Sequence, residues 1–156
     1  MARLEHRPRT RALRTLGGHT PPPRRQRIAH ANEELLRRGY EAFSKGDLDT
    51  VLGIFDENIV WHVPGRSPLA GDYKGHAEVT AFFGKIFELS GGSFKLELHD
   101  VLANDEHAVV LSRQTGERAG KRLDQNSVDV WHIKNGKATE FWGLTVDPYL
   151  EDEFWS

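Results

Sequence analysis

Residues 126–146, NSVDVWHIKNGKATEFWGLTV, hold the clearest structural pattern in this 156-residue chain. Two runs rich in Val, Trp, Ile, Thr and Phe flank residues 134–137, which contain an Asn-Gly pair. Such runs favour strands, and Asn-Gly favours the tight turn that joins two antiparallel strands. The stretch therefore predicts a β-hairpin.

Side chains alternate between the two faces of a strand, which assigns the faces of this hairpin. On the first strand, Asp129, Trp131 and Ile133 share one face and Val128, Val130 and His132 share the other. On the return strand, Phe141, Gly143 and Thr145 alternate with Glu140, Trp142 and Leu144. Both faces are largely apolar. This predicts a strand pair covered by its own domain on one side and by a second subunit on the other.

Asp129 is the anomaly of the hairpin, because it is a carboxylate flanked by valines and close to Trp131. Three environments fit such a residue: solvent, a structural hydrogen bond, or an apolar pocket that raises its pKa. The sequence leaves these three open.

Length and composition indicate one domain with an extension, and exclude several functional classes. The chain has no Cys, so disulfides, thiolate catalysis and Cys-ligated metals are excluded. No apolar run approaches the roughly 20 residues that span a bilayer, and no signal-type segment is present, which predicts a cytoplasmic protein. The overall charge of −2 divides into +7 for residues 1–27 and −9 for residues 28–156. The negative charge of residues 28–156 argues against nucleic-acid binding by that part of the chain.

The arginine-rich residues 1–27 include Gly17-Gly18 and three consecutive prolines at 21–23, and they lack a sustained apolar face. This composition predicts a disordered N-terminal extension, with residues 28–156 forming the domain. A dispensable segment, a nucleic-acid arm, a contact for acidic lipid and an organelle address remain open for it.

Apolar spacing of three and four residues predicts helices over 28–45, 48–55 and 76–89. Asp47 and Asp49 could pass for paired catalytic carboxylates, but capping and first-turn stabilisation of the second helix explain both. The segment NIVWHV predicts a strand over 58–63, followed by a loop through Gly75. His62 lies at the end of that strand, where it could be either a packed residue or a functional one.

After Gly92 the apolar spacing changes to two, which predicts strands from Phe94 onward and over 107–118 before the hairpin. Arg113 and Gln114 are polar residues within the strand over 107–118, which the number of predicted strands places in the interior of the sheet. The tail DPYLEDEFWS is too apolar to be left loose, so we expect it to pack over the mouth of the domain or onto a partner. This order of elements predicts an α+β fold with helices on one face of a strongly bent sheet.

Three segments resemble the NTF2-like superfamily, and within it the SnoaL-like and ketosteroid isomerase-related proteins: AFSKGDLDTVLGIFDENIVWHVPG, GDYKGHAEVTAFF and VDVWHIKNGKATEFW. The resemblance covers about residues 29–155. It implies a cone in which a curved mixed sheet wraps around three N-terminal helices and encloses a pocket, with a homodimer formed through the outer sheet face. The superfamily includes isomerases, cyclases, dehydratases and proteins that only bind or scaffold.

The same resemblance carries over some of the isomerase's functional positions. Asp129 matches the protonated acid of its oxyanion hole, a known case of a carboxylic acid kept neutral by an apolar site. The position of the isomerase's general base holds Val63. Its oxyanion tyrosine falls at Gly39, and Tyr40 is the next residue.

The leading hypothesis is therefore a SnoaL-like enzyme that performs acid/base chemistry, as an isomerase, a polyketide cyclase-like enzyme or a hydratase/dehydratase, on a hydrophobic or aromatic molecule. Asp129 would be the acid or base and His62 its partner, with Tyr40 or Arg113 polarising a carbonyl or hydroxyl. The predicted substrate-binding wall consists of Trp61, Val63, Phe83, Trp131 and Phe141.

Two other classes remain open: a non-catalytic ligand-binding or scaffolding domain of the same fold, and a nucleic-acid or membrane adaptor that acts through the arginine tail. We expect no cofactor and no metal, since no His-Glu-x-x-His spacing is present. The expected partners are a hydrophobic ligand and a second copy of the chain, without nucleic acid at the core and without a membrane.

Overall fold

A six-stranded curved sheet and four helices make up the computed structural model, which describes residues 30–156. The predicted extension, residues 1–27, and the predicted first turn at Ile28 lie outside the described residues. The elements are α1 (Ala31–Ser44), α2 (Leu48–Gly53), β1 (Phe55–Val63), β2 (Gly71–Lys74), α3 (Gly75–Ser90), β3 (Lys95–Ala103), β4 (His107–Arg118), β5 (Lys121–Lys134), β6 (Lys137–Thr145) and α4 (Pro148–Trp155).

The strands are ordered β2-β1-β6-β5-β4-β3 across the sheet. β1 and β6 are parallel, and the other neighbouring pairs are antiparallel. α1, α2 and α3 pack within the curve of this mixed sheet. The predicted α+β fold, with a strongly curved mixed sheet wrapped around helices, is confirmed.

The hairpin formed by β5 and β6 has the predicted turn. Asn135 and Gly136 have φ angles of 51° and 72°, the left-handed values that a two-residue turn between twisted strands requires. The resulting register places Trp131 opposite Phe141 and Asp129 opposite Gly143. The register therefore puts Phe141 and Gly143 on the same face as Trp131 and Asp129, a match that alternation within each strand did not decide.

Several element boundaries differ from those predicted. α1 begins at Ala31, because the Nδ1 atom of His30 accepts a hydrogen bond from the backbone N–H of Asn32 and caps the helix. α2 ends at Gly53, and β1 begins at Phe55, which pairs with β6. Residues 71–74, predicted as loop, form β2 because they pair with the end of β1.

The C-terminal tail forms the helix α4, which the sequence analysis did not identify. The side chain of Asp147 caps it by accepting hydrogen bonds from the backbone of Tyr149 and Leu150, and Pro148 occupies the first turn. At its other end, Arg118 donates to the carbonyl oxygen of Phe154. The tail packs over the mouth of the domain, as predicted, in this helical form.

The core lies between the helices and the concave face of the sheet. Leu36 of α1, Val79 of α3 and Val110 of β4 are completely buried there. In the described part of the chain, no helix is long and apolar enough to cross a membrane.

Candidate active site

A cavity of about 350 Å³ opens between the helices and the concave face of the sheet. This volume lies within the range of small-molecule sites in proteins. Ten aromatic side chains line it: Tyr40, Phe43, Phe55, Trp61, Phe82, Phe83, Phe94, Trp131, Phe141 and Trp155. The cavity therefore suits a hydrophobic or aromatic molecule.

Three adjacent strands supply one wall of this cavity. Trp61 of β1 stacks on Phe141 of β6, with ring centroids 3.7 Å apart, and Trp131 of β5 meets Trp61 edge-on at 5.5 Å. Strand pairing fixes these contacts, since Phe141 is in register with both tryptophans. The predicted wall residues Val63 and Phe83 also line the cavity.

Asp129 projects from β5 into this aromatic wall and is only 4% exposed. Burial raises its pKa from 3.8 to about 7, the nearby Glu151 carboxylate adds to the rise, and the hydrogen bond from Tyr40 opposes it. Of the three environments that the sequence left open, the structure places Asp129 in the apolar pocket.

The two oxygens of the Asp129 carboxyl differ. The Tyr40 hydroxyl donates a short hydrogen bond to Oδ2, whereas no residue in 30–156 is hydrogen-bonded to Oδ1. Gly143 lies across from Oδ1, and a Cβ atom there would stand 3.8 Å from Oδ1 and 3.1 Å from the Phe141 ring. Because Gly143 has no side chain, space remains beside Asp129 Oδ1, where a ligand could contact this oxygen.

Tyr40, which follows Gly39 on α1, donates its hydroxyl hydrogen bond to Asp129. A Cβ atom at Gly39 would lie 2.4 Å from the Cδ1 atom of Ile54, so a side chain at position 39 would require the end of the Ile54 side chain to move. Burial, and then the charge of Asp129, raise the pKa of Tyr40 well above its usual value. Tyr40 therefore remains a protonated hydrogen-bond donor at neutral pH.

Glu151 of α4 is a second carboxyl in the cavity, and it was not among the predicted site residues. It accepts hydrogen bonds from the Trp155 indole (2.9 Å) and from the Gln125 amide (2.6 Å). Burial raises its pKa, and these two hydrogen bonds oppose the rise. The four-residue spacing of Glu151 and Trp155 after an Asp-Pro cap was the signal available in the sequence.

His62 does not approach Asp129, so its predicted role as the partner of that acid is corrected. Trp61 and Val63 face the cavity, and alternation along β1 turns the intervening His62 to the outer face of the sheet. There it stacks on Trp142 and lies within hydrogen-bonding distance of Asp72 (2.7 Å) and Glu140 (2.9 Å). Hydrogen bonding to Glu140 and then Asp72 raises its pKa, although partial burial opposes the rise.

Arg113 is likewise removed from the predicted site. It lies on the outer face of β4 and donates two hydrogen bonds of 2.8 Å to the carboxylate of Asp124. Its neighbour Gln114 faces the cavity instead. Within residues 30–156, the site thus brings together Asp129, Tyr40 and Glu151 with an aromatic wall, and it contains no group of three metal-ligating side chains.

Solved structures with the same fold align over most of the chain. Bal32a, a protein from a soil-derived mobile gene cassette, is 44% identical with a TM-score of 0.78, and the alignment covers 81% of this chain and 97% of Bal32a. An NTF2-like protein of unknown function from Burkholderia pseudomallei is 26% identical with a TM-score of 0.74, over 82% of this chain and 99% of that protein.

The sequence relatives agree with this fold. An uncharacterized protein of Mycobacterium tuberculosis is 32% identical over 127 residues, which are 81% of this chain and 97% of the relative. The profile of the SnoaL-like domain matches residues 36–141, a range that includes Tyr40, Trp61 and Asp129. The chain belongs to the SnoaL-like domain family, within the NTF2-like superfamily.

Proposed function

We propose that this protein is an enzyme that performs acid/base chemistry on a hydrophobic or aromatic small molecule. The observation that carries the proposal is the Asp129 carboxyl, which has a pKa of about 7 inside an aromatic cavity and one oxygen without a hydrogen-bond partner among residues 30–156. A catalytic acid or base is most effective when its pKa lies close to the working pH. Perturbed carboxyls in clefts are accordingly candidates for catalysis.

The proposed chemistry is proton transfer at Asp129. In its ionised form, Oδ1 takes a proton from a carbon beside a carbonyl or from a hydroxyl, and in its protonated form it returns one to the product. Tyr40 donates to Oδ2 and holds the carboxyl in position during both steps. Isomerisation, cyclisation and the addition or loss of water all use such a group, and the apolar wall keeps competing water away from it.

Asp129→Asn tests this proposal because it removes the proton-transfer group and nearly keeps its shape. For an uncharged substrate, we expect kcat/KM to fall about 100-fold or more, the low end of general acid/base contributions, while the dissociation constant of that substrate changes little. In wild type, a rate that depends on the base should rise as pH increases through about 7. Turnover would be followed for cyclic enones, phenols and polyketide-like substrates.

Arg113→Gln is the matched control, because Arg113 lies outside the cavity and its loss should leave turnover unchanged. If the Asp129→Asn variant turned over substrate as fast as wild type, Asp129 would have no part in the mechanism. A non-catalytic ligand-binding or scaffolding protein is the second candidate, favoured by the apolar Val63 at the position of the isomerase's base. That candidate predicts a change of affinity alone in the Asp129→Asn variant.

We also propose that the outer face of the sheet joins two copies of the chain. Val128 and Val130 of β5 and Leu111 of β4 form a partly exposed apolar row there. Val130→Asp would place a charge in the middle of this row. We expect light scattering coupled to size exclusion to change from a dimer mass to a monomer mass, and a wild-type monomer would contradict the proposal.

A further inference from the structure

We infer that the cavity is selective for a hydrophobic amine, bound as its ammonium ion, over a hydrophobic carboxylate. This inference rests on the proposed function, because it names the chemical class of ligand that the same site would take. Three features carry it: the charges of the lining residues, the unpaired oxygen of the Asp129 carboxyl, and the aromatic wall.

The charged residues that line the cavity within 30–156 are all acidic. Asp129 and Glu151 line the cavity, and among residues 30–156 no Lys, Arg or His lines it. The nearby cations of the strands β4 and β5 are engaged elsewhere: Arg118 donates to the carbonyl oxygen of Phe154, and Lys121 donates to that of Glu153. A carboxylate ligand would therefore meet two carboxyls and no countercharge.

The polar groups in the site leave both acceptors and donors unpaired. Among the described residues, Asp129 Oδ1 and the buried Oε1 atom of Gln114 have no hydrogen-bond partner, and the buried indole N–H groups of Trp61 and Trp131 have none either. The titratable groups that face Asp129 are Tyr40 from α1 and Glu151 from α4, and Asp152 lies beside Glu151. An ammonium group brings three donors for the two oxygens and the positive charge that the two carboxyls lack, which the neutral indole N–H groups do not supply.

The aromatic wall favours the same ligand. Ring faces carry partial negative charge, so a cation within about 6 Å of an aromatic face is attracted to it. Trp61, Trp131 and Phe141 surround the carboxyl end of the cavity and pack on one another. An organic anion is repelled both by these faces and by the two carboxyls.

Three probes with one ring system separate the possibilities: 2-naphthylmethylamine, 2-naphthalenemethanol and 2-naphthoic acid, titrated into the full chain by calorimetry. At pH 8 we expect the amine to bind about tenfold more tightly than the alcohol, and the acid at least about 100-fold more weakly than the amine. The amine's advantage should shrink at pH 5.5, because Asp129 is then protonated. The alcohol's affinity should change little with pH.

Variants show whether the two carboxyls cause the preference. Glu151→Gln and Asp129→Asn should each reduce the ratio of amine to alcohol affinity and leave the alcohol's affinity nearly unchanged. Arg113→Gln serves as the control that alters neither. Amine binding should also release a proton from Asp129, seen as a binding enthalpy that depends on the ionisation enthalpy of the buffer.

Each other outcome overturns the inference. Equal or tighter binding of the alcohol would mean that the site takes uncharged molecules, and tighter binding of the acid would mean that a cation from elsewhere in the chain enters the site. Both results would leave acid/base chemistry at Asp129 intact. Failure of all three probes at millimolar concentration would count against the cavity as a ligand site, and hence against the proposed function as well.

Discussion

Replacing Asp129 with Asn should make the protein more stable at pH 8, even though the residue lies at the centre of the site. The folded state holds the pKa of this carboxyl at about 7, compared with 3.8 for an exposed aspartate. Between about pH 4 and pH 7 the folded protein keeps a proton that the unfolded chain has released. Wild-type stability therefore falls as pH rises through this interval, and the loss is complete above pH 7.

The pKa difference corresponds to about 4 kcal/mol of lost stability at pH 8. Asn carries no charge, and its carbonyl oxygen can still accept the hydrogen bond from Tyr40. Its amide N–H group is buried without a partner, which costs about 1–3 kcal/mol. We therefore expect the Asp129→Asn variant to be about 2 kcal/mol more stable than wild type at pH 8, and no more stable at pH 4.

Urea denaturation of both proteins at pH 4 and pH 8 measures this difference. Asp124→Asn is the matched control on the same strand, because hydrogen bonds from Arg113 lower the pKa of Asp124. Its effect should have the opposite sign: a loss of stability that is present at high pH and disappears as pH falls. If Asp129→Asn destabilised the protein equally at both pH values, Asp129 would be a structural hydrogen-bonding group and not a strained acid.

Local sequence patterns predict the hairpin and the position of Asp129 on it, because the strand pairing that fixes both lies within about 20 residues. The Asn-Gly turn sets the register, and alternation then places Asp129 beside the tryptophan and phenylalanine of the wall. The same alternation excludes His62 from the cavity, since it separates His62 from Trp61 and Val63. The prediction for His62 was wrong because it drew residues from both faces of β1 into one site.

Long-range packing decides the parts of the site that local patterns did not predict. A one-residue step along a helix turns the side chain by about 100°. Whether position 39 or position 40 of α1 points at the cavity therefore depends on how α1 packs against Ile54. Glu151 enters the cavity only because α4 docks across the mouth. Gln125, far from it in the chain, donates to Glu151 and so helps fix that docking.

Phe154 is one of the two buried aromatic residues of α4 and is 1% exposed. Its ring packs on Trp155 with centroids 4.7 Å apart, and it lies against Gly116 of β4. Phe154→Ala should therefore cost about 3–5 kcal/mol of unfolding free energy, as deletion of a buried aromatic ring does. Tyr149→Ala on the same helix is the control, because Tyr149 is 85% exposed and its loss should change stability little.

Gly116 provides an independent test of this contact. A Cβ atom there would stand 3.3 Å from the Phe154 ring, closer than side chains normally pack, so Gly116→Ala should destabilise the wild type. In the Phe154→Ala background the added methyl group enters the space left by the ring, and the same substitution should cost less. Urea denaturation of the four proteins gives the coupling between the two positions. Additive effects would mean that α4 is not held by this contact, and that another interaction carries Glu151 to the cavity.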